Sequence, residues 1–249
     1  MSEKVVLPRL KLFITLWVIG IVGAALLTVT ILPQLLEGQE LPAPIRVIVI
    51  ASIMQSAVLV GIATWVGVHL ASSVGLHAPV FEAIVLRQRA IAKLTPQILP
   101  GVLLGFFGGV LLYISSTQGP DVLIQAAEIP NIPLLSRLLY GGITEELLLR
   151  WGLMSLLVWI LWRFIQKGAG VPRPQYIWVA IFLSAFIFGA GHLPAASMLV
   201  GGLSLTLTVY IIVVNSIFGI MFGWLYWRHG LESAMIAHAT SHLINYLLI

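Results

Sequence analysis

The chain has 249 residues, of which 59% are hydrophobic and only 9% charged, with a formal charge of +4 and no cysteine. Ordinary soluble domains carry roughly 25% charged residues, so this composition excludes a soluble globular chain and points to a polytopic helical membrane protein. The missing cysteines exclude disulfides, iron–sulfur clusters, thiolate zinc and a cysteine nucleophile; the apolar runs are too long for barrel strands, and no clustered basic surface suits nucleic acid.

The N-terminus is basic, with Lys4, Arg9 and Lys11 ahead of the first apolar run. That run is too long for a signal-peptide core and is expected to stay as the first span. Spans are expected at Leu12–Leu32, Val47–Ala71, Ile98–Ser116, Ser136–Ile165, Ile177–Gly191, Leu199–Trp227 and Leu231–Leu248. A span needs about 20 residues. The fourth and sixth stretches exceed that and are tilted, broken or paired helices, so the count is seven or eight. The fold class is an all-α polytopic transmembrane bundle. Residues 1–249 are expected to form one membrane-embedded domain.

Arg87, Arg89 and Lys93 follow the second span, Arg163, Lys167 and Arg173 the fourth, and Arg228 the sixth. Glu37, Glu40, Asp121 and Glu128 fall on the other side, with Arg46 as an exception. The positive-inside rule then puts the N-terminus in the cytoplasm of a multi-pass cell-membrane protein. Residues 76–100 mix apolar and charged positions and read as an interfacial amphipathic helix or a plain loop. Gly101, Gly105 and Gly109 are spaced by four, as are Asn215, Gly219 and Gly223. Small residues at that spacing let helix backbones approach closely, and Asn215 is placed to hydrogen-bond across the second contact.

Three groups of ionisable residues fall inside apolar stretches, where such residues mark functional sites by default. The first is Glu145, Glu146 and Arg150. Glu146 and Arg150 are four apart and share a helix face; Glu145 points about 100° away and is the freer carboxylate, suited to general-base work. A structural ion-pair network explains the same spacing. The second is His192, two residues before Pro194; the third is His238 and His242, again four apart, with Asn245 near their face. Two imidazoles at this spacing converge on a metal or a substrate group, although no glutamate lies between them as in zinc proteases. His69, His77 and His229 read as interface or loop residues, and Glu232 as the ion-pair partner of Arg228. A hydrolase site and a transporter's proton relay both suit this set of groups.

The residues form a pattern. Glu145-Glu146-x-x-x-Arg150, Phe188-x-x-x-His192 and His238-x-x-x-His242 occur in that order. The chain resembles the CPBP family of intramembrane proteases, which groups the CAAX-processing Rce1-type enzymes with the bacteriocin-processing or self-immunity Abi proteins. The resemblance covers roughly Ser136 to the C-terminus and implies that residues 136–249 are a protease-like catalytic core carrying the three motifs. It implies a membrane hydrolase acting on a peptide or protein substrate, prenylated in one branch, within membrane lipid. Glu145 is then the base that activates water, assisted by His192, while His238 and His242 stabilise the oxyanion. Glu146, Arg150, Asn215 and Asn245 support the site, and Arg150 is also placed to meet a substrate terminus. The cavity opens toward the cytoplasm in the prenyl-protein branch. The family often carries a metalloprotease label, but the resemblance favours no cofactor. Histidine replaces the usual asparagine at 242, which keeps a zinc site of His192, His238 and His242 open. A non-enzymatic immunity, scaffold or transporter-like protein on the same fold is the alternative.

Overall fold

A computed structural model describes residues 7–127 and 132–249; Lys4 and Glu128, used above for orientation, lie outside them. The described residues form an all-helical bundle. Its helices are α1 (Arg9–Leu35), α2 (Ile45–Leu70), α3 (Pro79–Val85), α4 (Ala90–Thr117) and α5 (Asp121–Ala127), followed by α6 (Leu134–Ile165), α7 (Pro174–Gly191), α8 (Leu193–Val200), α9 (Leu205–His229) and α10 (Leu231–Leu248). Six segments are long and apolar enough to cross a membrane: Arg9–Leu35, Ile45–Val74, Ala90–Thr117, Leu134–Ile165, Pro174–Val200 and Leu205–His229. The protein is a multi-pass membrane protein.

The six spans coincide with six of the seven expected. The seventh stretch forms the 18-residue helix α10, but Glu232, His238, His242 and Asn245 make it too polar to count by composition. The long fourth stretch does not break; its extra length is taken up by wide, i→i+5 winding over Tyr140–Glu145, Leu147–Met154 and Leu161–Ile165. Residues 76–100 contain no long interfacial helix. A seven-residue helix covers Pro79–Val85, and Ala90 onward joins the third span.

Glycine sets the closest helix contact. A Cβ added at Gly105 would stand 2.6 Å from the Ala237 carbonyl oxygen, and one at Gly101 would stand 2.9 Å from Ser233 O. Rising numbers on α4 meet rising numbers on α10, so these two helices run parallel. Gln97 fastens the joint at one end: its Oε1 accepts from Ser233 N at 3.0 Å, and its own carbonyl accepts from Ser233 Oγ at 3.2 Å. Gly219 likewise gives α9 access to Ala185 of α7. Asn215 plays no part in that crossing, because its amide donates to Ile211 O of its own helix at 2.8 Å.

Glu232 also departs from expectation. Instead of pairing with Arg228, its Oε1 accepts from Val80 N at 2.8 Å and Phe81 N at 2.9 Å. These are free donors at the start of α3, and a carboxylate there satisfies them. Arg228 stacks on Trp227 instead. The tie brings the 77–85 segment to the N-terminal end of α10, so the 71–89 linker and Arg228 share one end of the bundle.

Candidate active site

The site is built where α6 faces α10, with α7 and α9 closing around it. α6 winds widely through Tyr140–Glu145, a form found often at functional positions. The winding is held from outside: Thr144 Oγ1 donates to Gly20 O at 2.8 Å, and a Cβ at Gly23 would stand 2.6 Å from Leu139 O. Successive residues turn by less than the 100° of an α-helix, which brings both adjacent carboxylates to one imidazole.

That imidazole is His238. Its Nδ1 lies 2.8 Å from Glu146 Oε1, and its Nε2 lies 3.6 Å from Glu145 Oε2. Glu146 Oε1 also meets Arg150 Nη1 at 3.2 Å. Arg150 Nη2 reaches Gly219 O at 3.3 Å, and the guanidinium lies over the rings of Phe188 and Phe222 at 4.9 and 5.4 Å from their centroids. Glu146 and Arg150 are 0% and 1% exposed. An unpaired charge at that depth costs several kcal/mol; the pair, the carbonyl and the two aromatic faces offset the cost together. Arg150 is thereby fully enclosed, and the expectation that it meets a substrate terminus loses its steric basis.

Glu145 differs. Its side chain keeps 14% of its surface exposed, and its one ion-pair contact is the long one to His238. Phe222 stacks on His238 at 4.6 Å, and His242 stacks on its other side at 5.0 Å. His192 ends α7 one turn after Phe188; its Nδ1 is 2.8 Å from Phe188 O and its ring is 4.8 Å from the Phe188 ring. It lies within electrostatic reach of Arg150, His238 and His242.

The structure thus brings together Glu145, Glu146, Arg150, His192, His238 and His242. Asn245 points elsewhere: its Oδ1 accepts from Ser116 Oγ at 3.4 Å, joining α10 to α4. Asn215 stays outside too, bonded within α9. His69 bonds Trp65 O, and His77 pairs with Glu82 at 3.5 Å. Among the described residues, no group of three or more His, Asp or Glu is arranged to hold a metal ion. Nδ1 of His192 faces Phe188 O and Nδ1 of His238 faces Glu146 Oε1, which leaves Nε2 of each ring for other partners.

Two residues escaped sequence reasoning. Phe222 looked like one more apolar residue of a span. Gly141 leaves the space in which the two histidines of α10 sit: an added Cβ would stand 2.6 Å from His242 Nε2 and 3.0 Å from His238 Nε2. The Gly141–Gly142 pair just before the two glutamates was its only signal.

Comparison with known proteins gives one match. Residues 128–244 match the family model described as Rce1-like: Type II CAAX prenyl endopeptidase Rce1-like. No curated protein and no solved structure matches the chain.

Proposed function

On the premise that the chain belongs to the Rce1-like family through residues 128–244, we propose that it is an intramembrane endopeptidase. The substrate is a peptide segment of a membrane-associated or lipidated protein. The observation that carries this reading is the pair of Glu145 Oε2 and His238 Nε2, 3.6 Å apart, beside a Glu146 whose Oε1 holds both His238 and Arg150. If His238 donates Nδ1–H to Glu146, its Nε2 is an acceptor. A water seated beside this pair, at hydrogen-bond distance from both atoms, then donates one hydrogen to each. Glu145 removes a proton as the water oxygen attacks the peptide carbonyl, and returns it to the nitrogen as the C–N bond breaks.

This assignment moves His238 from oxyanion stabiliser to partner of the base. His242, whose Nε2 faces Gly141, is left as donor to the developing oxyanion. His192 bonds Phe188 O through Nδ1 and is left to relay protons through Nε2. This reading uses no metal, so a chelator is expected to leave cleavage intact. α10 serves as a seventh crossing shielded by its neighbours, with the basic loops on the cytoplasmic side.

The test is cleavage of a quenched fluorescent peptide library, with lipidated and plain members, by detergent-purified protein. Glu145→Gln is expected to lower cleavage by at least about 100-fold, the lower range for loss of a general base, with an unchanged unfolding midpoint. Cleavage that survives the substitution overturns the role of Glu145 as the base, and absence of cleavage by folded unsubstituted protein supports a non-enzymatic role on the same fold.

A further inference from the structure

The two ends of the bundle differ in charge and in packing. One end carries Arg9 and Lys11 before α1, Arg87 and Arg89 in the linker, Arg163 to Arg173 around the α6–α7 loop, and Arg228. The other end carries Glu37, Glu40 and Asp121, with Arg46 and Arg137 as its basic residues among those described. The helices of the site run between these ends. α6 heads toward the basic loops, while α10 is antiparallel to it and heads away from them. α7 begins immediately after Arg173, and His192 follows its last residue. The 18 residues of α7 make about 27 Å of helix, close to the roughly 30 Å of a bilayer's apolar layer. His192 therefore stands at the face away from the basic loops.

Packing closes the site on its basic side. Arg150, Trp151 and Met154 of α6 and Phe222, Leu225 and Tyr226 of α9 lie between the site and the basic loops, and none is more than 2% exposed. Ser155 Oγ and Tyr226 Oη, 2.8 Å apart, tie the two helices beneath it. The other side has no such layer. Glu145 keeps some exposed side-chain surface, and His192 and His242 are half-buried. Gly191 is exposed, and a Cβ added there would meet nothing within 4 Å. α8, which continues the chain from His192, has no buried residue.

We infer that the site opens on the extracytoplasmic face of the membrane and takes a membrane-anchored peptide segment presented on that face. Two separate observations meet here. Charge sets the orientation, because short loops rich in lysine and arginine stay in the cytoplasm. Packing sets which end is open, and it is the end away from those loops. A lipidated tail approaching from the cytoplasm would meet the closed layer of Trp151, Phe222 and Tyr226. The inference rests on the proteolytic reading above and narrows its substrate to exported segments. It sets this chain apart from the cytoplasmic opening that the resemblance to the prenyl-protein branch implies.

The chain has no cysteine, so one introduced cysteine reports on its own position. Gly191→Cys and, separately, Met198→Cys on α8 mark the open end; Ala169→Cys, between Lys167 and Arg173, marks the basic end. All three positions are exposed. A sulfonated, membrane-impermeant maleimide is applied to spheroplasts of cells producing each variant and to inverted vesicles. The open-end cysteines are expected to react in spheroplasts, where Ala169→Cys stays unmodified, and the pattern is expected to reverse in inverted vesicles. Open-end cysteines that react only from the cytoplasmic side, or from neither side, overturn the inference. Cleavage is then read from one side. Spheroplasts receive a peptide that the purified protein cleaves in detergent, remade with a palmitoyl anchor and a sulfonated fluorophore so that it stays outside. Cleavage is expected with unsubstituted protein and lost with Glu145→Gln. Cleavage of this peptide in detergent but not by spheroplasts overturns the inference. Absence of cleavage in detergent as well is the failure of the proteolytic reading and removes the substrate assignment with it, while labelling still reads the side on which the site opens.

Discussion

Glu145 and Glu146 are neighbours in the chain, yet they belong to different halves of the site. Glu146 faces inward, into a dry tie of Arg150, His238, Gly219 O and two aromatic rings. Glu145 faces α10, with one long ion-pair contact to His238 among the described residues and some exposed surface. The difference teaches how a membrane bundle can afford a reactive carboxylate. One acid is spent on holding the imidazole and the arginine in place, which leaves the other free to face a substrate. Under the proteolytic reading, the carboxylate tied to Arg150 and His238 serves structure and the less tightly held one serves chemistry.

The comparison breaks most visibly at its two carboxylate-bearing ends. Glu145→Gln should remove activity and spare stability. Arg150→Met should do the reverse first: it strands Glu146, and loss of one partner of a buried pair costs about 3–5 kcal/mol. Thermal unfolding in detergent measures this, and an Arg150→Met protein as stable as the unsubstituted one would show that Glu146 needs no counter-ion. Gly141→Ala comes next. Its Cβ must displace His242 or His238, and overpacking of this kind costs about 1–3 kcal/mol; cleavage should fall more than stability does, because the imidazoles move rather than the helices.

Smaller effects lie at the far end of α10. Glu232→Ala removes the acceptor for Val80 N and Phe81 N, a cap-like loss of about 1–2 kcal/mol. Glu232→Gln keeps an acceptor oxygen and should recover most of it. The smallest effect concerns His77, in the linker outside the spans. Its hydrogen bond to Glu82 raises its pKa above the ordinary histidine value, against a smaller opposing effect of burial. The folded state therefore binds the proton more tightly than the unfolded one, and this stabilisation is fully present below about pH 6.5. It is lost as pH rises through the raised value. Comparing unfolding midpoints of unsubstituted protein and His77→Gln at pH 5.5 and pH 8.5 tests the sign: the gap should narrow at the higher pH. The effect is small because His77 is half-exposed.

Sequence spacing made much of the site visible. Four-residue steps placed Glu146 with Arg150 and His238 with His242, because helix geometry is local. The glycine steps on α4 found a real packing face for the same reason. Spacing failed in both directions. Asn215, expected to reach another helix, bonds Ile211 O of its own, and Arg228, expected to pair with Glu232, stacks on its neighbour Trp227. Glu232 went to the start of α3, about 150 residues earlier in the chain, where unpaired backbone N–H groups outcompete a solvated arginine.

The sequence alone determined that this is a multi-pass helical membrane protein, because a chain with so few charges has nothing else with which to meet water. It also determined that its ionisable residues inside apolar stretches belong to one site, since lipid tolerates few such groups and leaves them few places to go. Only the tertiary structure decided which carboxylate is tied down and which is free. It alone showed that both ring nitrogens of His238 face acids on one helix, and that Gly141 leaves the space in which His238 and His242 sit. Those relations depend on the wide winding of α6 and on the antiparallel register of α6 and α10. Contacts between distant segments set both, and no local pattern of residues encodes them.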